Sequence, residues 1–229
     1  DDISYRILPA PHFLIINSKI IMNNSKNKKT IAKIKNLKVF LDQINFLNKK
    51  KMNITEMIIN NANFSLSKND LKVLNDSSNQ KFSDKKIKIN KSSVFLKNNL
   101  DEIITIIKIN KSNLFFDNKK IQNQFELKGN VFAIPFTFKL KTKNDLIIEK
   151  EFLFKAKTLN LDILNKHITK KDKSTAGSNS ISFSNSIIDT RYKLRDKKFV
   201  FTSKNSKLNN SKINYDGELS INPFDLDLH

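Results

Sequence analysis

Apolar and polar residues alternate along most of this chain. In Phe132-Ala133-Ile134-Pro135-Phe136-Thr137-Phe138-Lys139-Leu140 every even position is apolar. Alternation with period two places successive side chains on opposite faces, so it predicts a half-buried β-strand. Shorter stretches of the same kind are Phe125-Glu126-Leu127, Phe152-Leu153-Phe154-Lys155-Ala156, Ile181-Ser182-Phe183, Phe199-Val200-Phe201 and Leu219-Ser220-Ile221. Ile103-Ile104-Thr105-Ile106-Ile107 is apolar on both faces, which argues that something covers the second face there. One phrase occurs three times: Ile59-Asn60-Asn61-Ala62-Asn63-Phe64, Ile89-Asn90-Lys91-Ser92-Ser93-Val94 and Ile109-Asn110-Lys111-Ser112-Asn113-Leu114. Looser echoes begin at Asn17, Asn205 and Asn210. Self-similarity implies one supersecondary unit laid beside itself, and the irregular spacing favours a meander of hairpins over a strict solenoid.

Only Gly129, Gly177 and Gly217 supply glycine, so hairpin tips that need positive φ must draw on Asn and Asp. These recur between the alternating segments: Asn23-Asn24, Asn69-Asp70, Asn98-Asn99, Asp117-Asn118, Asn144-Asp145, Arg195-Asp196 and Asp216-Gly217. The expectation is an all-β fold, a long curled antiparallel sheet forming an open groove or half-barrel meander. Two stretches that break the alternation, 41–47 and 159–164, are read as short helices. Polar segments at 75–80 and 169–179 read as linkers, the second as a flexible loop. They divide one continuous sheet, residues 1–229, into sub-modules 1–79, 80–168 and 180–229.

Composition removes several function classes. The three glycines lie too far apart for a phosphate loop or dinucleotide fingerprint. Cysteine is absent, and His12, His167 and His229 have no partners at metal-ligand spacing. No serine sits in a nucleophile elbow, and the adjacent acids Asp101 and Glu102 read as a solvated turn. No catalytic residue, metal or cofactor is expected, and the chain is not read as an enzyme. The net charge of +20 raises nucleic acid, but only Arg6, Arg191 and Arg195 are arginine among 42 basic residues. A lysine, asparagine and isoleucine excess is what an AT-rich genome writes, so no specific nucleic-acid partner is expected.

Residues 31–74 carry a more specific pattern. An amphipathic strand, Ile31 to Leu41, leads to Phe46-Leu47-Asn48-Lys49-Lys50-Lys51, then to Ile54, Met57, Ile58 and Ile59, then to Ala62, Phe64 and Leu66. With Pro9-Ala10-Pro11-His12-Phe13 and Tyr215-Asp216-Gly217-Glu218-Leu219-Ser220-Ile221-Asn222-Pro223-Phe224, this resembles the AsmA-like family of Gram-negative envelope proteins. The chain departs from that pattern in having Asn48-Lys49-Lys50 where the family often has glycine. The resemblance implies a repeating β-groove that carries phospholipid between inner and outer membranes. It also implies the periplasmic portion of an inner-membrane-anchored protein, with a membrane helix outside this segment and unidentified envelope protein partners.

The physical demand on such a module is plain. Carrying about fourteen acyl methylenes through water costs on the order of 11 kcal/mol, at roughly 0.8 kcal/mol each, unless an apolar trough covers them. Groove-lining positions expected from parity are Phe95, Ile107, Phe116, Phe125, Phe132, Ile134, Phe136, Phe138, Phe152 and Phe154. Pro135 cannot donate to a ladder, so a kink is expected there with Phe136 and Phe138 on the concave face. The alternative is a structural or adhesive envelope β protein, in which the same Phe rows pack against each other as a sandwich core.

Overall fold

A computed structural model describes residues 2–24, 27–42, 53–71, 80–172, 174–195, 198–221 and 223–229. The chain divides into two compact units, Asp1–Ile134 and Pro135–His229. The first holds β1 (Asp2–Arg6), β2 (His12–Asn24), β3 (Asn27–Leu41), β4 (Ile54–Ser67), β5 (Lys86–Lys97), β6 (Ile103–Asp117) and β7 (Gln122–Val131). The second holds β8 (Ile134–Asn144), β9 (Ile148–Ala156), β10 (Leu161–Thr169), β11 (Thr175–Phe183), β12 (Ser186–Arg195), β13 (Lys198–Leu208), β14 (Ser211–Ile221) and β15 (Phe224–Leu228). In each unit the strands lie side by side in chain order, and the sheet does not close into a barrel. The all-β class read from alternation is therefore the class found.

Several local expectations change. Pairing is not antiparallel throughout, because β4 and β5 run parallel. A parallel neighbour needs a crossover of a dozen residues or more, and the chain from Ser67 to Lys86 supplies one. It opens with a helical turn at 68–71. Ser67 and Asp70 bracket that turn: the Asp70 carboxylate accepts from the Ser67 amide and hydroxyl at 2.7 Å, and from Lys29 Nζ at 2.6 Å. This is a capping box with a cation added from another strand.

Of the two expected helices, most of 41–47 lies outside the described residues. The stretch 159–164 is strand β10, preceded by a single 3-10 turn at Lys157–Leu159. Residues 75–79 of the first linker also lie outside the described residues. The loop expected at 169–179 is instead a hairpin: Lys170 N–H donates to the Ser174 carbonyl, and β11 is already running by Thr175. Asp216-Gly217 is not a turn but the interior of β14. A Cβ at Gly217 would lie 2.9 Å from the Phe201 ring, and one at Gly177 would collide with the Tyr192 ring. Both glycines leave room for an aromatic on the neighbouring strand. The alternating run does not begin at Phe132 either. Phe132 and Ala133 form a turn with φ of 49° and 63°, so β8 starts at Ile134 and Pro135 sits at its exposed beginning.

Candidate functional site

The repeated phrase is not a hairpin. Each copy lies inside one long strand, in β4, β5 and β6. The first two copies lie in register in the parallel pair, with Ile59 beside Ile89, Asn60 beside Asn90, and Phe64 beside Val94. At its centre every strand skips a residue. Asn17, Lys35, Asn61, Lys91 and Asn110 all lack a ladder partner, although the residues flanking them are paired. Together they form a crease across β2 to β6. Three of them, Asn17, Asn61 and Lys91, have φ of 59°, 54° and 47°.

The crease changes parity. In a regular strand only residues an even number apart share a face. Here Ile59 and Ala62, three apart, pack in one cluster with Ala32 and Ile34, and Leu37 joins from three residues beyond Ile34. The apolar face therefore continues across the crease, with Ser18, Ser92 and Ser112 as its polar positions there. Ile15, Leu37, Ile59 and Ile89 line it on one side; Ile20, Ile34, Ala62, Phe64 and Val94 line it on the other. The polar residues of the phrase attend to the backbone that the crease leaves unpaired. Ser92 Oγ accepts from the Ala62 amide at 3.0 Å while donating to the Asn90 carbonyl, and Asn90 Nδ2 donates to Asn60 Oδ1 at 3.1 Å.

Against this frame the expected groove residues separate. Ile107, Phe116 and Phe125 share the apolar face, since their partners Val131, Asn123 and Leu114 follow regular alternation through β7. Phe95 does not share it. It has the parity of Ile89, but the kink at Lys91 lies between them, so Phe95 pairs with Ile106 on the opposite face. Phe132 is in the turn and 77% exposed. At the Phe116 end the face is covered: Asn123 binds the backbone of Gln80 and Phe82, and Lys81 Nζ lies 4.2 Å from the Phe116 ring centroid.

Along β8, Ile134, Phe136 and Phe138 alternate, and the last two, in the second unit, meet β9. Phe136 stacks on Phe154 at 5.5 Å and Phe138 on Phe152 at 6.3 Å. The rows continue through Ile163, Ile181 and Ile188, and through Leu161 and Phe183. Further along the strands this face turns polar. Tyr192 Oη meets Asn165 Nδ2 at 3.3 Å and His167 Nδ1 at 3.2 Å, and His167 Nε2 meets Thr169 Oγ1 at 3.1 Å. Burial, and secondarily the charge of Lys150, holds the His167 imidazole below its ordinary pKa. The reverse face is charged: Lys141 and Glu151 lie 2.8 Å apart, Lys155 and Asp162 2.6 Å. The Lys141 hydrogen bond keeps the Glu151 carboxyl below the usual range, against the effect of its own burial.

The apolar faces are not packed away. Among the described residues only nine apolar side chains are buried, and Phe136 is the single buried phenylalanine. Phe13, Phe64, Phe116, Phe125, Phe138, Phe152 and Phe154 are all half-buried. A sandwich core would bury each such ring fully, adding only the part of roughly 1.5–3 kcal/mol that its present burial has not already gained. Sequence reasoning found the apolar rows but missed the crease, whose signal was the polar pair inside each repeat. The chain matches no protein-family model, no curated protein and no solved structure.

Proposed function

We propose that this chain is a non-enzymatic lipid-carrying module whose apolar sheet faces hold phospholipid acyl chains. In this reading it is the periplasmic part of an inner-membrane-anchored envelope protein of the AsmA-like type, serving outer-membrane biogenesis. The observation that carries the proposal is the half-buried phenylalanine and isoleucine face, which keeps to one side of the sheet through the crease in the first unit. A contiguous apolar face of this kind marks an interaction surface, and acyl chains are the chemistry it fits. Phenylalanine suits the role because its ring has no polar atom that an acyl chain would leave unpaired.

The test is lipid content. Purified protein should carry phospholipid detectable by mass spectrometry and should take up a fluorescent phospholipid. Phe152→Asp should lower that load while cooperative unfolding persists at a reduced midpoint, because the side chain is only half-buried; Phe64→Asp should cost more stability, since that ring packs against the Ala32, Ile34 and Ala62 cluster. Phe136→Asp is a poor probe, since that ring is buried and its loss unfolds the sheet whatever the function. Protein that retains no lipid and takes none up would end the proposal.

A further inference from the structure

We infer that the bulge between β12 and β13 forms a binding site for a phosphate ester bearing a nearby hydroxyl, of the glycerol phosphate kind. Pairing of these strands is regular from Arg195↔Lys198 to Arg191↔Thr202, then resumes only at Ile187↔Lys207. β12 spends residues 188–190 in the gap and β13 spends 203–206, so the regular ladder is interrupted. The gap is pinned from behind. Ser206 Oγ accepts from the Asp189 amide at 2.9 Å and contacts Ser203 Oγ at 2.6 Å, and both serines are buried.

A cleft of about 570 Å³ opens at this point, lined by Arg191, Lys204, Asp189, Ser178, Ser180 and Thr202. Ser178, Ser180, Asp189 and Arg191 alternate with Gly177, Ile181, Ile188 and Tyr192, so the site lies on the face opposite the acyl-binding one. It does not depend on the lipid reading.

The lining chooses the ligand. Among the described residues the Arg191 guanidinium, the Lys204 ammonium and the Asp189 carboxylate make no side-chain ion pair, although other lysines find acids across the strands, as Lys198 does with Glu218 at 3.2 Å. A planar guanidinium, an ammonium and neighbouring hydroxyls make a phosphate site. The carboxylate of Asp189 repels a bare phosphate but accepts from a hydroxyl, so it favours an ester with a free hydroxyl over inorganic phosphate. No aromatic ring is among the six side chains named, so a stacked nucleotide base finds no platform.

The experiment is a calorimetric titration of the full chain with glycerol 1-phosphate and with inorganic phosphate. Glycerol 1-phosphate should bind more tightly. Arg191→Gln should weaken it by about tenfold, the worth of one charge-assisted pair. Asp189→Asn should abolish the preference by strengthening inorganic phosphate. Arg191 is exposed, so its variant tests the site without touching the fold. Sedimentation with vesicles of phosphatidylglycerol or of phosphatidylcholine identifies the source. Binding to the first that is lost in Arg191→Gln assigns a lipid headgroup, whereas binding of the soluble ester alone assigns a free metabolite. The proposal is overturned by absence of saturable glycerol 1-phosphate binding, by binding unchanged in Arg191→Gln, or by a polynucleotide displacing the ester.

Discussion

Asp70 shows how much a single side chain carries where the chain leaves the sheet. One carboxylate oxygen accepts from the Ser67 amide, the Ser67 hydroxyl and Lys29, joining the end of β4 to β3 at the start of the crossover. Its burial opposes ionisation, but the hydrogen bonds from Lys29 and Ser67 outweigh it and hold the carboxyl below its ordinary pKa. A depressed carboxylate stabilises the fold above its unfolded pKa, and that stability disappears as pH falls through the lower folded value. Asp70→Asn should therefore cost about 1–3 kcal/mol in urea unfolding at neutral pH. The gap between variant and wild type should close as pH falls below about 4, and a gap independent of pH would refute the role of the charge.

The crease is the element that gives the first unit its continuous face, and it is built from residues poorly suited to it. Lys91 holds φ of 47°, where a side chain costs roughly 1 kcal/mol or more and glycine costs nothing. Lys91→Gly should leave the native crease intact and raise the unfolding midpoint modestly, while Lys91→Val should lower it. Ser92→Ala removes the acceptor for the buried Ala62 amide and should cost about 1–3 kcal/mol. If the repeat were only a record of duplication, both positions would tolerate change equally; amide exchange at Ala62 separates the cases. The parallel pair follows from the same motif, because two in-register copies can align their kinks and their asparagines side by side.

At the scale of the whole chain, the sheet presents apolar surface that other described residues cover only in places, as residues 80–82 do beside Phe116. Native protein should therefore bind an apolar fluorescent dye at neutral pH, without denaturant, and phospholipid should displace it. A sandwich would bind such a dye only on unfolding. The net charge of +20 spreads over lysines, a few of which pair across strands, such as Lys88 with Glu56 and Lys198 with Glu218. Exposed pairs of this kind contribute little stability each, so salt should change solubility more than the melting point.

What the sequence determined by itself was whatever depends on local periodicity. Alternation in Phe136-Thr137-Phe138-Lys139-Leu140 dictates a strand with one apolar face, and the Asn and Asp steps at 98–99, 117–118 and 144–145 end strands where they were expected to. Tertiary structure decided what depends on neighbours. Phe95 and Ile89 have the same parity in sequence, yet they part because Lys91 adopts a left-handed conformation that only the aligned kinks beside it make tolerable. Asp216-Gly217 has the composition of a turn, but Gly217 is placed within β14 beside the Phe201 ring. The cleft beside Arg191 exists because β13 spends one residue more than β12 between paired positions, a mismatch that neither strand carries alone. A strand's character is written in its own residues, whereas its face, register and clefts arise only when another strand lies beside it.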